Sequence, residues 1–355
     1  MIDTPYLVVD SGRLDANLRK VATRARASGV ALRPHAKTHK CAEIAHRQLE
    51  SGAIGLTVAT IGEAEAFASV GCTDLFIAYP LWVTRHRAER LRALAGSAAL
   101  RLTIDSVEGA ARMAAEMIDT EVEVVVEVDC GQHRTGVAPD EAGKVAAAAV
   151  EHGLNVVGVF TFPGHGYGLS GARHVAATEE SSALERAADS LRCNEIDPVV
   201  RSGGSTPTLE FADTSVLTEV RPGVYPFNDA QQVELGTATF GEVALFAAST
   251  VIHRTGDRIV VDAGSKILGA DRPGWASGFG RLLDFPDARI TSLSEHHAVV
   301  DVSDTDVAVG APDLGETVRV IPNHVCTAVN LVDEIVVDCP ERGVSWPTLA
   351  RGRNS

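Results

Sequence analysis

Lys37 lies in Pro34-His35-Ala36-Lys37-Thr38-His39-Lys40, directly after a short extended run, and that placement makes its amine a candidate for covalent chemistry. An ammonium that is partly desolvated and crowded by other cations loses its proton more readily, and the free amine can form a Schiff base. Pyridoxal phosphate is the commonest cofactor that needs such a lysine. Taken alone, a basic segment of this kind is more often a solvated loop than a site, so the case rests on what accompanies it.

Other segments carry compatible chemistry. In Arg201-Ser202-Gly203-Gly204-Ser205-Thr206-Pro207 the adjacent glycines let backbone amides converge on an anion, and the Ser205 and Thr206 hydroxyls add donors. The plain alternative is a tight surface turn. Asp129-Cys130-Gly131-Gln132-His133-Arg134-Thr135-Gly136-Val137 offers the Arg134 guanidinium to an anionic oxygen, or else to solvent. Pro163-Gly164-His165-Gly166-Tyr167-Gly168 supplies an imidazole, His165, and a phenol, Tyr167, both able to hydrogen-bond a heterocycle; Arg221-Pro222-Gly223-Val224-Tyr225 supplies a second phenol.

The last motif is Ile321-Pro322-Asn323-His324-Val325-Cys326. On an extended strand residues two apart share a face, so His324 and Cys326 are expected side by side, an imidazole and thiolate pair that prefers zinc. A structural zinc takes about four protein ligands. Two point instead to an open metal completed by water and substrate, with His297 of Ser294-Glu295-His296-His297 as a further candidate. A half-buried histidine beside a core cysteine is the alternative.

These segments need a scaffold, and the hydrophobic pattern supplies one. Extended runs at 31–37, 55–60, 75–80, 101–106, 123–129, 156–162, 199–205 and 218–225 alternate with helical segments at 41–50, 62–70, 85–94, 107–117, 140–152 and 173–191. Such alternation means βα units and a parallel sheet. About eight strands is the number that closes a (β/α)₈ TIM barrel, whose chemistry sits at the carboxyl ends of its strands. After residue 236 helical periodicity fades into extended runs at 244–254, 258–262, 298–302, 317–322 and 334–337. The expected organisation is therefore an α/β barrel over 11–235 and a mainly-β domain over 236–355. The run 6–10 could pair with either, and the domain assignment joins 1–10 to the second.

Composition removes other classes of function. The 355 residues are 45% hydrophobic and 22% charged, an ordinary globular balance. A net charge of −15 disfavours nucleic acid, whose readers need a basic face. Met1-Ile2-Asp3-Thr4-Pro5 has no secretory pattern and no apolar run reaches transmembrane length, so a cytoplasmic chain without a membrane partner is expected. Six cysteines, Cys41, Cys72, Cys130, Cys193, Cys326 and Cys339, include no Cys-x-x-Cys pair. They read as small core residues rather than a disulfide framework, Cys326 excepted.

Together the motifs resemble the fold-type III pyridoxal-phosphate enzymes, and more narrowly the D-serine dehydratase and D-threonine aldolase family. The resemblance spans nearly the whole chain: 34–39 matches the family's cofactor-lysine motif, 129–137 its arginine loop and 322–326 its metal motif. It implies that Lys37 binds the cofactor and removes the α-proton of a small D-amino acid. It implies that Arg134 holds the cofactor's phenolic oxygen, that Tyr167 lies near the ring nitrogen, and that Gly203, Gly204, Ser205, Thr206 and Tyr225 serve the phosphate. Zinc on His324 and Cys326 would bind the β-hydroxyl as a Lewis acid, with His165 as a further catalytic candidate and a homodimer as the assembly. Members resembling D-serine dehydratase carry His-x-Cys, as here, whereas the aldolase type usually has His-x-Asp, so the resemblance leans toward β-elimination to a keto acid and ammonia. The alternatives are a metal-dependent D-threonine or 3-hydroxy-D-aspartate aldolase, or a non-catalytic cofactor-homeostasis barrel. Residues 236–355 count against the last.

Overall fold

The computed structural model describes residues 3–305, 310–338 and 343–355; Met1, Ile2 and Cys339 lie outside the described residues. The chain divides into two compact units: residues through Lys20 with Thr38–Glu43 and Val224–Gly352, and Val21–Lys37 with Ile44–Gly223 and Arg353–Ser355.

The second unit holds eight parallel strands: β2 (Ala31–Leu32), β3 (Leu56–Val58), β4 (Asp74–Ile77), β5 (Ala99–Ile104), β6 (Glu123–Glu127), β7 (Asn155–Phe160), β8 (Val200–Gly203) and β9 (Glu219–Val220). They pair in the order β2-β9-β8-β7-β6-β5-β4-β3. Each is short, and the central residues of β3–β7 are mostly apolar and buried, as a sheet covered on both faces requires. The expectation of a closed TIM barrel meets a curled sheet whose end strands, β2 and β3, approach at one parallel bridge, His35↔Thr57. There the Thr57 N–H donates to the Pro34 carbonyl at 2.8 Å.

Helices α2 (Ala42–Glu50), α3 (Ile61–Ala68), α4 (Arg85–Ala95), α5 (Val107–Glu116), α6 (Ala142–Glu151) and α7 (Ala172–Arg192) alternate with these strands, after a first helix α1 (Ser11–Ala27). Their starts are written locally: the side chains of Thr60, Thr84 and Ser106 accept the backbone N–H of Glu63, Arg87 and Gly109 and so cap α3, α4 and α5. Several strands are shorter than the apolar pattern suggests. The run 31–37 is regular strand only to Leu32; Arg33 and His35 still donate to the Val220 and Pro222 carbonyls at 3.0 and 3.1 Å before the chain enters a 3₁₀ turn at Ala36–Thr38.

The first unit is built on a nine-stranded sheet. Strand β1 (Tyr6–Val9) pairs antiparallel with β10 (Leu245–Thr255) and parallel with β16 (Glu334–Val337). The remaining strands are β11 (Arg258–Val261), β12 (Gly280–Leu282), β13 (Arg289–Leu293), β14 (Ala298–Asp301), β15 (Thr317–Pro322) and β17 (Ser345–Pro347), and β10 also pairs with β11, curling the antiparallel part on itself. Short helices α8 (Ala230–Glu234), α9 (Ser265–Leu268) and α10 (Val325–Val329) interrupt it. Val8, Phe246, Ile321 and Val336 pack into its core. Cys41, Cys72 and Cys130 are buried as expected, but Cys193 is exposed: it caps the end of α7, where the helix runs out into solvent. Among the described residues no helix is long and apolar enough to cross a membrane.

Candidate active site

Lys37 occupies the 3₁₀ turn that follows β2, at the carboxyl end of the parallel strands, and is partly buried. Its Nζ lies 5.8 Å from the centroid of Phe162, and the Arg134 guanidinium carbon lies 5.5 Å from the same ring. The expected lysine and arginine thus both lie against the Phe162 ring, whose quadrupole attracts cations. Other lysines are engaged elsewhere: Lys40 donates to Asn330 at 2.7 Å, and Lys266 pairs with Glu295 at 2.7 Å.

The loops around this ring pack through their glycines. Asp129 Oδ1 accepts the N–H of Gly131 and of His133, folding the segment into a turn on its own carboxylate. Gly131 has φ +123°, and a Cβ there would meet the His165 imidazole at 3.1 Å. His165 Nε2 is 2.8 Å from Glu179 Oε2, while its Nδ1 is buried without a hydrogen-bond partner. Gly164 lies against Gln132, Gly166 against Thr208, and Tyr167 is partly buried at the end of that turn. Sequence segments 129–137, 163–168 and 203–208 thus form one cluster. Tyr225 is buried and belongs to the other unit.

The glycine pair of the expected phosphate loop has a more specific reason than openness. Gly204 sits at φ +79°, in the left-handed region, and its N–H donates to Glu180 Oε1 at 2.6 Å. A Cβ on Gly203 would collide with the same carboxylate. The Ser205 N–H goes to the Thr208 hydroxyl at 3.1 Å. Donors expected to be free for an anion are therefore engaged within the protein, two of them by groups, Glu180 and Thr208, that lay outside the motif.

Glu180 and Glu127 are buried carboxyls beside these loops that the motifs did not reveal. Glu180 is fully buried, and burial pushes its carboxyl up to about 7 against the opposing influence of the Gly204 N–H and Arg221. Glu127, the last residue of β6, is pushed up to about 7 by burial, against Thr135, Arg134 and Arg221. Each has one carboxylate oxygen, Oε2, buried without a partner. Arg221 is buried among them, donating to the Thr161 carbonyl, and burial lowers it to about 10. A larger concavity of about 1100 Å³ opens at the opposite, amino-terminal end beside Arg101, Glu123 and Asn155. There Arg101 is paired with Glu123 and Glu219, so the volume lies at the end without poised groups.

The metal motif differs from its expected geometry. Strand β15 stops at Pro322; His324 is the extended residue before α10 and Cys326 lies within that helix, so they do not share a strand face. The cause is Asp229, whose buried carboxylate accepts the Val325 N–H at 3.1 Å and starts the helix, while Asn323 is held by the carbonyls of Asp271 and Gly278. The two side chains meet nonetheless. The Cys326 thiolate raises His324 to about 11 against burial, with Asp229 Oδ2 adding to it from 3.6 Å. Cys326 Sγ also lies 3.2 Å from the hydroxyl of Thr38, the chain neighbour of Lys37. A partly buried thiolate and imidazole that together hold a proton this tightly fit a divalent cation, which would take that proton's place. His297 is exposed in the turn between β13 and β14, and among the described residues no third His, Cys, Asp or Glu completes a cluster.

Comparison with known proteins agrees across the chain. Residues 9–230 match the family of the alanine racemase N-terminal domain, and residues 244–337 match a serine-dehydratase-type domain. Over 92% of this chain and 91% of the relative, the sequence is 34% identical to D-threo-3-hydroxyaspartate dehydratase of Delftia sp. (strain HT23). It is also 34% identical to D-threonine aldolase of Arthrobacter sp, over 99% of this chain and 93% of that one. A solved structure of D-threo-3-hydroxyaspartate dehydratase, a cysteine-to-alanine mutant in the metal-free form, superposes with a TM-score of 0.89 at 30% identity, covering 98% of each chain.

Proposed function

The chain belongs to the alanine-racemase-like, fold-type III pyridoxal-phosphate enzymes, and from that premise we propose a lyase acting on a D-3-hydroxy amino acid, more narrowly a zinc-dependent dehydratase of the D-serine type. The observation that carries the narrower reading is the contact between His324 and Cys326 beside Thr38, one residue from Lys37. Full closure of the parallel strands into a (β/α)₈ barrel over 11–235, with 236–355 and 1–10 as the second domain, belongs to the same proposal, as do a homodimer and a cytoplasmic setting.

Lys37 would hold the cofactor through its amine and, once released, move the α-proton of the substrate. Arg134 would face the phenolic oxygen, Tyr167 would serve the ring nitrogen, and Phe162 would keep water from the lysine. Gly203, Gly204, Ser205, Thr206 and Tyr225 would receive the phosphate. Glu180, which accepts the Gly204 N–H, would have to release it to that phosphate, and protonation of its carboxyl would weaken its hold. His165, held by Glu179, is the remaining catalytic candidate. His324 and Cys326 would hold zinc, with Asp229 orienting the imidazole as a carboxylate outside the metal shell does. When bound, the cofactor supplies an electron sink for the α-carbon and the metal supplies a Lewis acid at the β-hydroxyl.

D-serine, D-threonine and 3-hydroxy-D-aspartate supplied separately, with keto acid, ammonia, glycine and aldehyde assayed, test this reading. Keto acid and ammonia, lost on chelation and in Cys326→Ala, are expected. Glycine and aldehyde would make the protein an aldolase instead, the reading that the Arthrobacter relative supports. Full turnover by a chelated, metal-free preparation would contradict the zinc role.

A further inference from the structure

Glu127 ends a strand whose preceding residues, Val124, Val125 and Val126, are fully buried and apolar, and it is itself only 3% exposed. A carboxylate at such a position is costly unless it is paired. Half of it is: Oε1 accepts the Thr135 hydroxyl at 2.9 Å, and the Glu127 carbonyl accepts the Val137 N–H at 3.0 Å, so the residue fastens the returning limb of the 129–137 loop. The other oxygen, Oε2, is buried without a partner. Glu127 is one of the residues that line a small cavity, together with Arg134, Thr161 and Phe162. Arg134 follows Glu127 by one loop, precedes the tethered Thr135, and lays its guanidinium over Phe162, 5.5 Å from the ring centroid.

We propose that Glu127 is the positioning residue for Arg134, its carboxylate and its hold on Thr135 together fixing the direction of the guanidinium. A guanidinium presents N–H groups on more than one edge, so one edge can engage a buried carboxylate while another stays open to an anionic oxygen. Without that counter-charge the arginine is a mobile cation above an aromatic ring. With it the arginine becomes a fixed cation at the mouth, the arrangement that electrostatic preorganisation requires. The Arg134 charge acts on Glu127 in the sense such a pairing demands, favouring the ionised carboxylate. Arg221 also favours the ionised carboxylate, but its guanidinium donates to the Thr161 carbonyl, lies 4.9 Å from the Phe160 centroid and is not among the residues that line the small cavity.

The inference rests on the proposed cofactor at Lys37, and the experiment separates the two. Holoenzyme is prepared as wild type, Glu127→Gln, Arg134→Leu and the double variant, and each is read for covalently bound cofactor, for the absorption maximum of that cofactor and its titration midpoint, and for kcat and KM. Glutamine keeps the shape and can still accept from Thr135, so Glu127→Gln is expected to retain cofactor with unchanged KM. It should shift the absorption and its midpoint in the same direction as Arg134→Leu and lower kcat by about tenfold. The double variant should be no worse than Arg134→Leu alone, as coupled residues require. If Glu127→Gln does not fold, Glu127→Asp, which keeps the charge on a shorter stem, should fall between wild type and Arg134→Leu in the same spectrum. A wild-type spectrum in both Glu127 variants, a melting-temperature loss without a spectral shift, or effects that add fully in the double variant would overturn the inference. A wild type that carries no covalent cofactor would overturn the Lys37 reading itself.

Discussion

At the amino-terminal end of the parallel strands, Arg33, Asp74, Arg101, Glu123 and Glu219 neutralise one another; at the carboxyl-terminal end, Glu127, Glu180 and Arg221 do not. Arg33 reaches Glu219 at 3.0 Å and Asp74 at 2.5 Å, and Arg101 reaches Glu219 at 3.1 Å and Glu123 at 2.8 Å. Glu219 is deeply buried, yet the charges of Arg33 and Arg101 outweigh that burial and keep it below the ordinary carboxylate range. At the other end burial wins, and both glutamates are held near neutral pH. One guanidinium from each layer, Arg101 and Arg221, lies against the Phe76 ring, which packs edge-on against Phe160 between them. The same residue types thus do different work at the two ends: ion pairs at one lock the strands, and groups at the other, the end where Lys37 lies, keep unpaired atoms.

The comparison can be broken first at the paired end. Glu219→Gln removes the carboxylate shared by two buried arginines, and breaking a buried pair costs about 3–5 kcal/mol, a large share of a typical domain's stability. Denaturant unfolding should show that loss, while any folded fraction still binds cofactor. A variant of wild-type stability would mean that the amino-terminal layer is not what locks the strands.

At the poised end Arg134→Leu should behave oppositely. Its side chain is exposed, so even with the charge beside Glu127 lost, stability should change by only about 1 kcal/mol, well below the loss in Glu219→Gln, whereas kcat should fall on the order of 10²-fold through lost electrostatic stabilisation. Cofactor should remain bound, checked by equilibrium dialysis. Loss of cofactor instead would make the arginine an anchor.

Much of this contrast was unevenly legible in the sequence. Runs 317–322 and 334–337 coincide with strands β15 and β16, because β-branched residues bounded by turn residues say the same thing locally and globally. Strands β12, β13 and β17 went unread: Gly280–Leu282 and Ser345–Pro347 are three residues each, and Arg289–Leu293 mixes charged and polar residues, so pairing partners rather than propensity make them strands. His324 and Cys326 could be seen as a pair, but their geometry depends on Asp229, 96 residues from Val325 in the chain. Phe162 stood one residue before a chosen motif. Two signals were available for the glutamates. Glu127 interrupts a valine run just before a loop, and Glu180 falls on the Ala176, Ala177, Ala183 and Leu184 stripe of α7, where a carboxylate needs a reason to be buried.

The smallest effect concerns Glu180. Its folded proton affinity is raised from an ordinary 4.5 to about 7, so between those values the folded protein holds a proton that the unfolded chain has released. Stability from this group is complete below the unfolded value and is lost as pH rises through the folded one. Glu180→Gln should therefore flatten the fall in melting temperature between about pH 5 and 7. An unchanged slope would mean that Glu180 is ionised in the folded state and that the two ends differ less than their geometry indicates.

The central claim is that the chemistry of this protein sits on Lys37 at the carboxyl end of the parallel strands. Borohydride reduction of the pyridoxal-phosphate-loaded enzyme followed by peptide mapping tests it most directly: the account predicts a single label, on Lys37, absent in Lys37→Ala together with all activity. A label on Lys40, Lys266 or any other lysine, or activity surviving in Lys37→Ala, would contradict it.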